Sequence, residues 1–304
     1  MRKIIVISIL LIFAGTGTAQ ELSNIPASFL NIGFSARALG MGGAYMAMSD
    51  DIHSIVWNPA GLSAMKRWQL TFSFTRQFGL IPYYFLASGG PVKSKWAHGE
   101  AFIVSGDELM QELRAIGGAA RYFKKYVPGL RVGLTMDFRH ASYGRHKNSD
   151  AGQITGEAFG LSISLGSQYE LTNHITLALI FRDLVNVMAW NSPGKGIYPE
   201  GIPMTLLGGI ALKNLNGFNF ELDFDKSLHR DTPNRICLGV EWPFFYYFIL
   251  RSGFSQSFGA TESNLQFAIG TGMRNIWADH LFLDFSYLFH ELQNSFRMSV
   301  VFQK

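Results

Sequence analysis

Charged side chains at alternate positions are the first chemistry this sequence offers. Asn219, Glu221, Asp223 and Asp225 alternate with Phe218, Phe220, Leu222 and Phe224. A period of two puts the carboxylates on one face of a strand and the aromatic bulk on the other. Arg131, Asp137 and Arg139 share a face in another segment, and Arg182, Arg235, Glu241, Arg251, Arg274, Asp284 and Arg297 fall on the polar faces of theirs. Such a set can pair ions or line a passage, but it is not a catalytic constellation. The eight His are scattered, no HExxH or cysteine pair points to zinc, and no GxSxG marks a nucleophile elbow. Gly40-Met41-Gly42-Gly43 lacks the spacing and the strand–helix setting of a dinucleotide loop. The expectation is a protein that is not an enzyme and holds no cofactor and no metal.

The elements that carry these charges follow from composition and periodicity. The chain is 48% hydrophobic and 14% aromatic with only 16% charged residues, and it contains 32 Gly and 26 Phe. That is rich in sheet formers and poor in surface charge for a soluble domain. Arg2 and Lys3 precede an apolar run from Ile4 to Ala14 and small residues ending Gly17-Thr18-Ala19. This pattern reads as a cleaved secretory signal over residues 1–19, too short to be a spanning helix. The formal charge of +4 includes both of those signal cations, so the mature chain is nearly balanced and no nucleic-acid partner is expected. A lone cysteine, Cys237, excludes an internal disulfide and reads as a small packing residue.

From Trp68 onward one unit recurs: about ten alternating positions, then turn residues. In Ser295 to Gln303, Phe296, Met298, Val300 and Phe302 oppose Arg297, Ser299 and Gln303. About fourteen such units are expected, with links of three residues or fewer at Thr172-Asn173, Asn214 to Asn216 and Pro243 to Phe245 on one side. The longer stretches Gly144 to Gln153 and Met188 to Ile202 fall on the other. Even strand numbers, strands of this length and short periplasmic turns opposite longer outer loops describe a transmembrane barrel in the bacterial outer membrane, with membrane lipid as its surroundings. A soluble sandwich would need charged outer faces. The opposite faces here are small instead, as in Ala158, Gly160, Ser162, Ser164 and Gly166. A charge near mid-bilayer would cost about 2 to 4 kcal/mol, so the charged positions are expected to face inward.

Residues 20–67, before the barrel at 68–304, differ in kind. They contain Ala36-Arg37-Ala38-Leu39-Gly40-Met41-Gly42-Gly43-Ala44-Tyr45, then Asp50-Asp51, then Trp57-Asn58-Pro59-Ala60-Gly61-Leu62. This ordered motif resembles the N-terminal signature of the PorV/PorQ family, whose members resemble the FadL type of outer-membrane transporter. Weaker similarity continues through the strands, as in Leu250-Arg251-Ser252-Gly253-Phe254. The resemblance implies a fourteen-stranded barrel whose N-terminal segment folds into the lumen as a hatch. Gly40, Gly42 and Gly43 would allow close approach to the wall. Asp50 and Asp51 would cap a short helix through Trp57, and Asn58-Pro59 would stop it. Arg37, Asp50, Asp51 and Asn58 then read as anchors of the plug, and the inward charges as ion pairs bracing it.

Two functions follow from the resemblance. The PorV/PorQ similarity implies association with type IX secretion, receiving or tethering exported cargo at the cell surface alongside secretion-system proteins. The FadL similarity implies a passage for a hydrophobic small-molecule substrate, with a pocket beneath the hatch and a lateral exit. A purely structural barrel is the third expectation.

Overall fold

The computed structural model describes residues 33–77, 81–106, 110–144, 155–193, 196–200, 202–228, 232–259, 264–276, 280–289 and 294–304. The expected signal segment, residues 20–32 of the hatch and nearly all of the outer link 144–153 lie outside these. Fifteen strands form one antiparallel sheet. They are β1 (Gln69–Gln77), β2 (Ile81–Pro91), β3 (Trp96–Gly106), β4 (Met110–Tyr122), β5 (Leu130–Tyr143), β6 (Gly156–Glu170), β7 (Ile175–Ser192), β8 (Gly196–Glu200), β9 (Thr205–Leu215), β10 (Phe218–Ser227), β11 (Asn234–Pro243), β12 (Phe248–Phe258), β13 (Asn264–Ile276), β14 (Leu281–Phe289) and β15 (Ser295–Gln303). Sequence neighbours pair in order, β7 skips to β9, and β1 closes the ring on β15 with Phe74 opposite Met298. The wall is therefore a closed barrel of fourteen strands, with β8 as an extra strand attached to β7 alone. Closure leaves the fourteen-stranded ring itself without an open edge.

The alternation in the sequence becomes two faces. On β10, Leu222 and Phe224 are 41% and 43% exposed while Glu221, Asp223 and Asp225 are buried. On β15, Phe296 is 55% exposed and Arg297 and Ser299 are buried. Leu70, Phe72, Tyr84, Leu86, Phe102, Leu134, Met136, Phe138, Leu177, Leu179, Leu250 and Ile269 continue the outer apolar surface around the ring. A belt this continuous exceeds the apolar patches that a soluble monomer tolerates, and it suits lipid. Exposed aromatics gather at the rim where β1 begins and β15 ends: Trp68, Trp96, Tyr126, Phe245, Tyr246 and Tyr247. Amphipathic rings of this kind settle at membrane–water boundaries. Among the described residues no helix is long and apolar enough to cross a membrane.

One link differs from expectation. Residues 188–202 read as an outer loop, but β7 runs on to Ser192 and folds back through β8 as a hairpin. Asn191 pairs with Ile197 and Ser192 with Gly196 across it, so residues that read as a loop are strand here. The bonding of β7 to β9 stops at Arg182, and Asp183 takes a left-handed backbone angle of φ 56°. Beyond this bulge Met188 and Ile202 pack inward with Ala141 and Ala158, and Trp190 meets Tyr143 at 5.5 Å.

The lumen is filled by the N-terminal segment. Helix α1 (Ala36–Gly40), helix α2 (Ser54–Trp57) and a 3-10 turn (Pro59–Ala64) lie inside the ring. Their apolar side chains form two clusters with the wall, one around Tyr45, Met46 and Trp57 and one around Ile52, Ile55 and Leu62. In this sense the molecule is a barrel packed around its own N-terminus.

Candidate functional site

The Ser35 hydroxyl accepts the Ala38 N–H at 3.3 Å and caps α1. The Ala36 N–H donates to Ser299 Oγ at 2.9 Å, tying this end to β15. α1 exits through Gly42 and Gly43, at φ 68° and 85°. Here the backbones of hatch and wall touch. A Cβ on Gly42 would come within 2.6 Å of Phe254 N, and one on Gly40 within 3.1 Å of Gly270 Cα. The close approach expected of Gly40, Gly42 and Gly43 is found at the first two; a Cβ on Gly43 would meet nothing nearer than Cys237 Sγ at 3.7 Å.

Residues 45–48 then run along β10, and two wall carboxylates take their backbone amides. Asp223 accepts from Tyr45 N at 2.7 Å and Met46 N at 3.0 Å. Glu221 accepts from Ala47 N at close range and from Met48 N at 3.0 Å. On the other side Gln168 Nε2 donates to the carbonyls of Met46, at 3.1 Å, and Ser49, at 2.9 Å. The two wall carboxylates satisfy backbone N–H groups that burial inside the barrel would otherwise leave without partners.

The next turn corrects one expectation. Asp51 Oδ1 accepts from His53 N at 2.9 Å, but α2 starts only at Ser54, and His53 at its N-cap contributes no side-chain bond. Asp50 does not cap at all; it is half-exposed and pairs with Arg37 at 2.7 Å. An aspartate three or four positions ahead of a one-turn helix lies outside capping reach. Asn58 ends α2 with an extended backbone, and its Oδ1 accepts from Ala60 N at 3.1 Å to start the 3-10 turn. Its Nδ2 donates to Met46 O at 2.9 Å and to Ser167 O at 3.1 Å, linking hatch to β6. Pro59 lies against Gly133 and Gly166, where any side chain would collide. Trp57 Nε1 donates to Phe34 O at 2.5 Å, and its ring meets Tyr45 edge-on at 6.1 Å.

The charges of the described residues pair in separate groups. At the rim of the chain ends, Arg37 reaches Glu241 at 2.9 Å, Arg251 joins Glu241 at 2.8 Å to Asp284 at 2.6 Å, and Arg274 stands 3.7 Å from Glu241. Toward the opposite rim, Asp137 sits between Arg114 at 2.6 Å and Arg139 at 2.8 Å, and Arg139 also reaches Asp183 at 2.6 Å. Asp225 pairs with Arg235 at 2.7 Å. Arg131 pairs with Glu170 at 2.9 Å near the chain-end rim, and Arg297 donates to Gly33 O at 2.9 Å. Most pairs thus join wall to wall. Arg37–Glu241 is the ion pair that braces the hatch against a strand.

Within the hatch, Tyr45 Oη donates to Asp51 Oδ2 at 2.8 Å beneath the Arg37 guanidinium. Burial works to raise the Asp51 carboxyl, but His53, Arg37 and the Tyr45 hydroxyl outweigh it and hold it well below the usual carboxylate range. Burial holds the Tyr45 hydroxyl well above the usual tyrosine range.

The hatch separates two chambers. One, about 450 Å³, opens at the chain-end rim among Arg37, Asp50, Lys66, Arg67, Arg274 and Gln303. The other, about 90 Å³, lies across the hatch. Its apolar side is Phe34, Leu39, Ile55, Trp57, Ile116 and Ile180, and its polar side includes Arg114, Asp137, Arg139, Arg182 and Asp183. Among the described residues no group of His, Cys, Asp and Glu is arranged to hold a metal. Cys237 is buried, opposite Asp223 on β10. Sequence reading missed Gln168, Arg114 and Asp183. Gln168 and Arg114 each sat at an inward parity that could have exposed them. Asp183 turns inward through the bulge, against the parity that placed Arg182.

No known family model matches the chain, and no curated protein matches it. Solved structures do. The monoaromatic hydrocarbon channel CymD is 15% identical with a TM-score of 0.67, over 94% of this chain and 98% of that one. The Ralstonia pickettii toluene transporter TbuX is 14% identical with a TM-score of 0.62, over 90% and 98%. A Pseudomonas aeruginosa FadL homologue is 10% identical with a TM-score of 0.64, over 88% and 98%. At these identities the likeness is one of fold. It concerns the FadL half of the resemblance, and none of these three is of the PorV/PorQ kind.

Proposed function

We propose that this chain is an outer-membrane barrel that passes small, largely hydrophobic molecules by way of its hatch and catalyses no reaction. The observation that carries this reading is the chamber across the hatch, where Phe34, Trp57, Ile116 and Ile180 form an apolar wall beside fixed polar groups, arginines and aspartates among them. Ligand sites are concave, mainly apolar and oriented by a small number of polar groups. The rim holding both barrel ends faces the periplasm, since these barrels place short turns there, and export begins with the signal segment. The shared fold of CymD and TbuX, a hydrocarbon channel and a toluene transporter, supports passage. The secretion-docking expectation gains no comparable support.

Size sets the substrate. A dry cavity of about 150 Å³ holds benzene, so a chamber of about 90 Å³ admits a molecule of that class only as hatch side chains give way. The test is a titration of the purified barrel with toluene, read as the Trp57 fluorescence that differs between wild type and Trp57→Phe. Saturable quenching is expected. A response that only rises linearly, as partitioning into the outer belt would, contradicts the proposal.

A further inference from the structure

The chamber across the hatch carries more positive charge than its own carboxylates neutralise. Its lining includes Arg114, Arg139, Arg182 and Arg235 against Asp137 and Asp183. Arg235 is matched by Asp225, which accepts both its Nε and its Nη2, at 3.0 and 2.7 Å. That leaves three guanidinium groups facing two carboxylates. Asp137 is shared between Arg114 and Arg139, and Asp183 is taken by Arg139 and the Ser162 hydroxyl. Glu112, the next inward residue of β4, accepts from Ser105 Oγ at 2.7 Å and does not line the chamber.

The third cation is Arg182, which makes no hydrogen bond or ion pair among the described residues; the carboxylates that act on it from a distance, Asp225 and Asp183, are bonded to Arg235 and Arg139. A second observation points the same way: Nη1 of Arg139, a residue only 3% exposed, is buried with no partner among the described residues. An arginine stays charged, and leaving a guanidinium uncompensated away from water is costly. The arrangement is completed by one anion with at least two acceptor atoms, because guanidinium donors come in a planar fork that matches a carboxylate. The opposite wall of the same chamber is aromatic and aliphatic, so the rest of that anion is apolar, and the volume of about 90 Å³ keeps it short.

We infer that the preferred ligand of this chamber is a compact monocarboxylate with an apolar body, held by Arg182 and Arg139, in preference to a neutral hydrocarbon of the same size. This rests on the passage reading and narrows its substrate class. The path then discriminates by charge at one point, where the β7 bulge at Asp183 brings Arg182 and Asp183 both to the lumen.

The experiment compares benzoate with toluene, a matched pair in size, at neutral pH where benzoate is ionised, using the Trp57 signal. Wild type is expected to bind benzoate about tenfold more tightly than toluene or better, the scale of a charge-assisted hydrogen bond. Arg182→Gln is expected to abolish the preference, and Arg182→Lys, which keeps the charge without the fork, to retain part of it. Saturable toluene binding with benzoate no tighter overturns the inference and leaves the passage reading standing. So does a preference that survives Arg182→Gln, or one lost equally in both variants. Saturable binding of neither probe overturns both.

Discussion

Replacing Asp223 or Glu221 by its amide takes an acceptor oxygen from the hatch N–H groups it faces, Tyr45 and Met46 for one, Ala47 and Met48 for the other. A net intramolecular hydrogen bond contributes about 0.5 to 1.5 kcal/mol, so Asp223→Asn is expected to lower stability by about that amount in urea unfolding from lipid vesicles. An unchanged midpoint would mean the grip is not what holds the segment. The inward placement of both carboxylates was legible from period two, but their partners were not. A backbone amide leaves no mark in the sequence, and these lie more than 170 positions away. Asp51 gives a pH signature. Its carboxyl is held below its unfolded value of about 3.9, so its contribution is fully present above that value and is lost as pH falls through the folded one. Asp51→Asn lacks the contribution and should show a shallower loss of stability between about pH 5 and lower values. Parallel acid profiles for the two proteins would rule this out.

At the scale of elements, strand boundaries and facing followed closely from alternation, since a one-residue slip would send every charge on a strand into lipid. Met298 lies outward on β15 beside inward, fully buried Ser299. Met298→Arg is accordingly expected to cost about 2 to 4 kcal/mol if the position is near mid-bilayer, less near an interface, and Ser299→Asn to cost less. Equal tolerance on folding into vesicles would mean the facing is wrong. The β7–β8 hairpin was not legible, because the Asp183 bulge breaks the parity and the following turn residues look like a loop. The hatch is an element of a different sort, short turns that owe their shape to the wall around them. Deleting residues 33–62 should leave a barrel that still closes through β1 and β15. Its single-channel conductance in planar bilayers should rise above wild type, a fourteen-stranded lumen being wide enough for water once emptied. A correctly inserted deletion that conducts no better than wild type would mean the segment is no plug.

For the whole molecule, architecture was readable where function was not: a barrel with a plug serves many roles, and the role proposed here rests on a chamber assembled from both. That chamber draws Phe34 and Trp57 from the hatch and Ile116, Arg139, Ile180 and Arg182 from three strands, a convergence that no single stretch of sequence displays. The secretion-docking expectation came from the hatch motif with a weaker likeness along the strands, and the fold-level likenesses run instead to a monoaromatic hydrocarbon channel and a toluene transporter. The most direct test of passage is uptake of a radiolabelled small aromatic compound by intact cells producing the barrel, set against cells without it. A third strain makes an Ile116→Trp barrel, which fills the chamber, at an equal amount in the outer membrane. The account predicts uptake several-fold faster with wild type than without it, and a return toward background with Ile116→Trp. Uptake no faster with the wild-type barrel than without it, or undiminished when the chamber is filled, would contradict it.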